Sequence, residues 1–123
     1  MTITDIRFAY GAGTALNGVS LTAPKGEITC VMGRNGVGKT TLMRTIMGTY
    51  KAGGGSITLD GANVTRLPAH RRAKSGLALV PQGREIFPKL TVADNLRIGL
   101  VARAKLSSQI PAEIFDLRSE EQT

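Results

Sequence analysis

Nine consecutive residues, Gly33-Arg34-Asn35-Gly36-Val37-Gly38-Lys39-Thr40-Thr41, hold three glycines, one lysine and two threonines. Gly33 to Thr40 fit the spacing G-x-x-x-x-G-K-[ST], and the chemistry of phosphate binding gives each fixed position a reason. Glycines let the backbone turn through conformations that a Cβ would block, aiming successive N–H groups into one concavity. A helix starting at that point adds the positive end of its dipole, worth about half an elementary charge. In such a loop Asn35, Gly36 and Gly38 form the cradle. The Lys39 ammonium reaches the outer phosphates, and the Thr40 hydroxyl is a ligand for Mg2+.

The flanking segments read as the strand and helix that such a loop requires. Glu27-Ile28-Thr29-Cys30-Val31-Met32 is short, rich in β-branched residues and nearly all apolar, the pattern of a strand buried on both faces. Cys30 then reads as a small core residue. Beyond the loop, Leu42, Met43, Ile46 and Met47 share one side of a helix that Gly48 should end. Ahead of the loop, residues 2–10 alternate Ile3, Ile6 and Phe8 loosely with polar residues, and residues 15–23 resume a strand-like pattern until Pro24-Lys25-Gly26. Ser56 to Thr65 reads as a hairpin turned by Asp60-Gly61. Pro68 can open a short helix carrying His70, Arg71, Arg72 and Lys74, whose cations should form one wet face, and Gly76 can close it. Leu77-Ala78-Leu79-Val80 reads as a second buried strand, stopped by Pro81. Thr91 can cap a helix with Asp94 three residues on, and Val92, Leu96 and Leu100 share its face. Residues 113–123 lose apolar periodicity and are expected to fray. The fold class expected is α/β with some parallel sheet beside an early antiparallel layer.

Composition sets outer bounds. At 123 residues, 41 % hydrophobic, the chain suits one globular domain rather than a disordered segment. No apolar run approaches membrane-spanning length, and the first ten residues lack a charged head followed by an apolar stretch. One cysteine excludes an internal disulfide framework and fits a reducing compartment. Four of nine acids but one of sixteen bases fall in residues 113–121, leaving about +10 on residues 1–112 and favouring anionic partners. A nucleic acid is a weak candidate among them: three Phe, two Tyr and no Trp offer little base-stacking surface, and no recognition motif is present.

The loop in its fuller form, G-x-N-G-x-G-K-T-T, together with residues 8–28 and 77–100, resembles the nucleotide-binding domain of ABC transporters over residues 1 to about 115. That resemblance implies a P-loop ATPase core with an N-terminal antiparallel β subdomain, binding ATP and Mg2+ and working as a dimer on transmembrane permease subunits at the inner face of the cell membrane. Tyr10 matches the aromatic that stacks on adenine, and Thr41 a residue touching the α-phosphate. Gln82 matches the Q-loop glutamine that contacts Mg2+ and the attacking water and senses the membrane subunit; with Lys39 it is the catalytic candidate. The wording around the loop and around Gln82 resembles subunits of importers for urea and branched-chain amino acids.

Parts of that family's machinery are absent from these 123 residues. No apolar strand ends in Asp-Glu, so there is no Walker B aspartate or catalytic glutamate; no Leu-Ser-Gly-Gly-Gln signature occurs; and His70, the one histidine, lies before Gln82 and cannot stand for the late switch histidine. The sequence therefore corresponds to the N-terminal half of such a domain with an incomplete sheet. By itself it is expected to bind nucleotide weakly and turn over essentially none. The alternative is a nucleotide- or partner-binding module without catalysis.

Overall fold

The computed structural model describes residues 1–83, 85–101 and 109–120, in two compact units, Met1–Leu79 and Val80–Thr123. Ile3 and Ile6 cannot face the same side of a regular strand, because side chains alternate with a period of two. Strand β1 (Thr2–Tyr10) accommodates both by slipping its register against β2 (Gly13–Thr22) between Ile3 and Ile6, with Asp5 at φ 49°. Both isoleucines are thereby fully buried. β3 (Gly54–Leu59) pairs antiparallel with the other edge of β1, setting Ile57 opposite Ile3. β4 (Ala62–Asn63) closes the order β2-β1-β3-β4. The turn into β4 is the expected one: Asp60 and Gly61 both take positive φ, 47° and 81°, as a two-residue hairpin with the right twist demands.

Helix α1 (Lys39–Met47) sets Leu42 and Ile46 into a core with Ile3, Ile6, Leu16, Ile57 and Val64. It ends at Gly48, φ 82°, as its sequence predicts. A Cβ there would also lie 2.8 Å from Nε of Arg72, so glycine is required twice over. Helix α2 (Ala69–Lys74) follows Pro68. Its cations do not form one wet face. Arg71 and Lys74 are exposed, but Arg72 is 3 % exposed. Nε of Arg72 donates to the Leu67 carbonyl (2.8 Å), Nη1 to those of Thr45 (2.9 Å) and Ile46 (2.8 Å), and Nη2 to that of Thr65 (2.6 Å). The guanidinium thus closes the C-terminal turn of α1, where carbonyls lack intrahelical partners and the dipole is negative. Burial lowers its pKa from the ordinary arginine value.

The two apolar stretches read as buried strands form no ladder. Ile28, Met32 and Val80 are 90 % exposed or more, and Cys30 is exposed rather than in the core. An all-apolar strand is stable when neighbours pair with both its edges and helices cover its faces. Neither stretch has a pairing partner among the described residues, whose one sheet is antiparallel throughout. Thr29 and Val31 instead face Leu77 and Leu79 across a cavity of 210 Å³, floored by Met43, Ile46 and Met47 of α1. The parallel part of the expected α/β sheet is therefore absent among the described residues.

In the second unit, α3 (Val92–Leu100) starts as predicted. The Thr91 hydroxyl accepts from the Asp94 N–H (3.1 Å) and donates to the Asp94 carboxylate (2.7 Å), which also pairs with Arg97 (2.9 Å). Asn95 fastens the preceding loop: its carboxamide accepts from the Phe87 N–H (2.9 Å) and donates to the Phe87 (3.1 Å) and Thr91 (3.0 Å) carbonyls. Residues 112–120 wind as α4 (Ala112–Glu120), where loss of periodicity predicted fraying. The side chains of residues 112–117 are exposed. Residues 121–123 of the expected tail lie outside the described residues, as does Arg84, two positions after Gln82.

Two predictions follow from these contacts. Arg72→Met leaves four carbonyls without their donor and should lower stability by about 3 kcal/mol in urea unfolding of the 123-residue chain. The Thr91 hydroxyl, then Arg97, hold the Asp94 carboxyl below its usual pKa. Its contribution to α3 is accordingly present above the unfolded carboxylate value, about 3.9, and lost as the pH falls through and below it. NMR shifts of residues 91–97 should report that loss, and Asp94→Ala should abolish the pH dependence.

Candidate functional site

Between Gly33 and Thr41 there is no carboxylate, and the helix that begins there has no cap of its own. The N-cap of α1 is Gly38, at φ 105°, with no side-chain hydrogen bond and no acidic residue in the first turn. Amide groups at a helix start need a partner from outside the helix, so these are open to an anion. A Cβ on Gly38 would come within 3.0 Å of the Ala15 carbonyl oxygen and 3.2 Å of Leu16 Cδ2, so the loop is pressed onto β2 at the point where the helix starts. Lys39 folds back across the loop, its Nζ donating to the carbonyls of Gly33 and of Arg34 (2.9 Å). Asn35 and Gly36 are exposed, as is Thr40.

Thr41 faces the other way. It is buried, and its hydroxyl lies 3.0 Å from the Tyr10 hydroxyl. The β1–β2 hairpin supplies that partner: Tyr10 ends β1 opposite Gly13 and remains 52 % exposed. Phe8 meets the Tyr10 ring edge to face at 4.8 Å between centroids, and Tyr50 does so at 5.8 Å. Phe8 and Tyr50 are stacked on each other at 5.0 Å, with the Arg44 guanidinium 5.7 Å from the Tyr50 centroid. The Thr41 hydroxyl, and after it the Tyr50 side chain, hold the Tyr10 phenol below its usual pKa; the same contact with Tyr10 raises that of Tyr50.

Of the residues singled out from sequence, Tyr10, Thr41, Lys39 and the glycine loop come together in the first unit. Gln82 is exposed and belongs to the second. Phe8, Arg44 and Tyr50 were not foreseen. Phe8 could have been, since it lies two residues from Tyr10 on the same strand; Tyr50, beyond the glycine that ends α1, gave no signal. The residues at the loop fit a nucleoside polyphosphate with its divalent ion: open amides, an ammonium and an exposed hydroxyl, with no competing carboxylate. Among the described residues no group of three or more His, Cys, Asp or Glu could hold a metal alone. An ion at Thr40 would therefore draw its other oxygens from phosphate, water or neutral side chains.

The ABC transporter family profile matches residues 16–122. The chain belongs to the ABC transporter family. It is 42 % identical over 90 residues to the high-affinity branched-chain amino acid transport ATP-binding protein BraG of Pseudomonas aeruginosa, an alignment covering 73 % of this chain and 39 % of that protein. It is 38 % identical over 115 residues to the sulfate/thiosulfate import ATP-binding protein CysA of Mycobacterium bovis, covering 94 % and 32 %. With the lipopolysaccharide export system ATP-binding protein LptB of Haemophilus influenzae it shares 36 % over 121 residues, covering 98 % and 50 %. The chain thus spans about a third to a half of the length of these curated relatives. Its fold is that of the dimeric ATP-binding cassette MJ0796 bound to ADP and Pi, with a TM-score of 0.75 over 98 % of this chain and 54 % of that one at 24 % identity. This ABC ATPase fold is the expected P-loop core fragment with its antiparallel β subdomain. No helix among the described residues is long and apolar enough to cross a membrane.

The Tyr10–Thr41 contact has a direct test in titration. Thr41→Val should raise the Tyr10 pKa, read by tyrosinate absorbance, while Thr41→Ser should keep it low.

Proposed function

We propose that this chain is the N-terminal part of the nucleotide-binding domain, residues 1–123, of an ABC importer's ATP-binding subunit. In this reading the loop takes the phosphates of Mg-ATP. The observation that carries it is the uncapped start of α1, with the Lys39 ammonium lying over the Gly33 and Arg34 carbonyls at the mouth of the loop. In this reading that ammonium exchanges the two carbonyls for phosphate oxygens. Asn35, Gly36 and Gly38 shape the cradle, Thr40 meets the Mg2+, and the half-exposed Tyr10 ring offers its face to the base. Bound Mg2+ supplies neutralisation of phosphate charge; Thr40 fixes where that charge sits relative to Lys39. Assigning Gln82 to the Mg2+ side and to sensing a permease rests on the resemblance of residues 77–100 to the Q-loop.

As for the cargo, the likeness to BraG supports branched-chain amino acids, and the wording of the motifs supports urea beside them. The names of CysA and LptB, which match over more of the chain, show how widely this half of a domain is shared. The solute is selected by membrane subunits, not by residues that face nucleotide. Partners in this reading are a second ATP-binding subunit and the transmembrane permease, at the cytoplasmic face of the membrane. Hydrolysis needs a Walker B carboxylate pair and an opposing signature, neither of which this sequence contains.

Calorimetric titration of the 123-residue chain with Mg-ATP, with phosphate release followed on the same samples, tests the proposal. Binding is expected, weakened at least tenfold by Lys39→Ala through loss of a charge-assisted contact, with no phosphate release above background. Equal affinity of Lys39→Ala would remove the loop's assigned role. Turnover that depends on Lys39 would overturn the account of what the chain lacks.

A further inference from the structure

Tyr10 is held from both ends of one helix. Thr41, in the first turn of α1, bonds its hydroxyl at 3.0 Å. Tyr50, two residues past the C-cap Gly48, packs against its ring, and its own N–H returns to the Arg44 carbonyl of α1 (3.3 Å). Arg44, three residues after Thr41, lies over the Tyr50 ring, while Phe8 stacks on Tyr50 and packs against the hydrophobic core. Phe8 and Tyr50 are nearly parallel, 7° apart, and Tyr10 stands at 88° and 85° to them. Neither neighbour therefore lies parallel over the Tyr10 ring, which stays half-exposed. A side chain with this exposure would ordinarily sample several rotamers; here a hydrogen bond and two ring edges select one.

We infer that Thr41 and Tyr50 are positioning residues that fix the Tyr10 ring on the phosphate-loop helix, so that the base platform and the phosphate cradle move as one body. The inference rests on the reading of the loop as a nucleotide site. Its consequence is specific. Loosening Tyr10 lowers affinity for a nucleotide with a base but not for the bare polyphosphate, whose contacts lie at the other side of the helix start.

The test compares dissociation constants of Mg-ATP and Mg-tripolyphosphate for the 123-residue chain and its variants. Tyr50→Leu should weaken ATP about fivefold, the worth of one lost contact, and leave tripolyphosphate within a factor of two. Tyr50→Phe, which keeps the ring, should restore most of the ATP affinity. Thr41→Val reaches the same ring from the other side and should lower the ATP-to-tripolyphosphate affinity ratio, with Thr41→Ser restoring it; this pair decides the matter if Tyr50→Leu fails to fold. Equal losses on both ligands, or no loss of ATP affinity, would overturn the positioning role while leaving the loop assignment standing. Failure of the unmodified chain to bind either ligand would overturn the nucleotide reading, and this inference with it.

Discussion

A guanidinium buried without a carboxylate organises the first unit of this protein. Taking a full charge out of water costs several kcal/mol, and in most interiors a counter-ion offsets it. Arg72 is offset by geometry instead: four carbonyl oxygens at 2.6–2.9 Å, two of them at the negative end of the α1 dipole. Those carbonyls come from α1, from the segment after the β3–β4 hairpin and from the approach to α2. One side chain thereby fixes the mutual placement of three parts of the chain. Since α1 begins inside the glycine loop, whatever fixes its far end also fixes the direction in which its first amides and Lys39 point.

The same constraint explains a glycine that the sequence presents as a simple helix stop. Gly48 does terminate α1 in the left-handed region. Its missing side chain is also the space through which Arg72 reaches the Thr45 and Ile46 carbonyls. Periodicity could reveal the first role, because it depends on local backbone alone. It could not reveal the second, because Arg72 lies 24 positions on, in a six-residue helix whose four polar or charged side chains look alike from sequence.

Legibility followed that division elsewhere. The glycine loop, the ends of α1, the Asp60-Gly61 turn and the Thr91 cap are readable, since each is decided within a run of at most nine residues. Ile3 and Ile6 announced a core strand but not the bulge at Asp5 that lets both point inward. The stretches 27–32 and 77–80 are apolar, the pattern of buried strands, yet they pair with no strand among the described residues. Composition shows what a segment would do with neighbours on both edges; it does not supply those neighbours, and none among the described residues pair with it. What remains is a cavity lined by Thr29, Val31, Leu77 and Leu79 above the methionines of α1, and an exposed cysteine where a core residue was expected. Likewise Asn95, which ties the loop at Phe87 to α3, carries no local signature for that tie, because its Phe87 partners are backbone groups eight residues away.

α1 then emerges as the element through which the site's parts communicate. Its first residue is the lysine of the loop, its third holds Tyr10, and its sixth lies over Tyr50, whose ring borders Tyr10 in turn. Its last turn is clamped by Arg72. A nine-residue helix has too few turns to hold its own direction in water, so its rigidity comes from these side contacts and from Leu42 and Ile46 in the core. Rigidity at that point has a chemical meaning. A polyphosphate is recognised by the spacing of its charges, and a base by the plane of a ring; both are sharpest when the groups that meet them share one rigid support. In the proposed reading, the buried arginine at one end of α1 and the tyrosine pair along its side serve that single requirement.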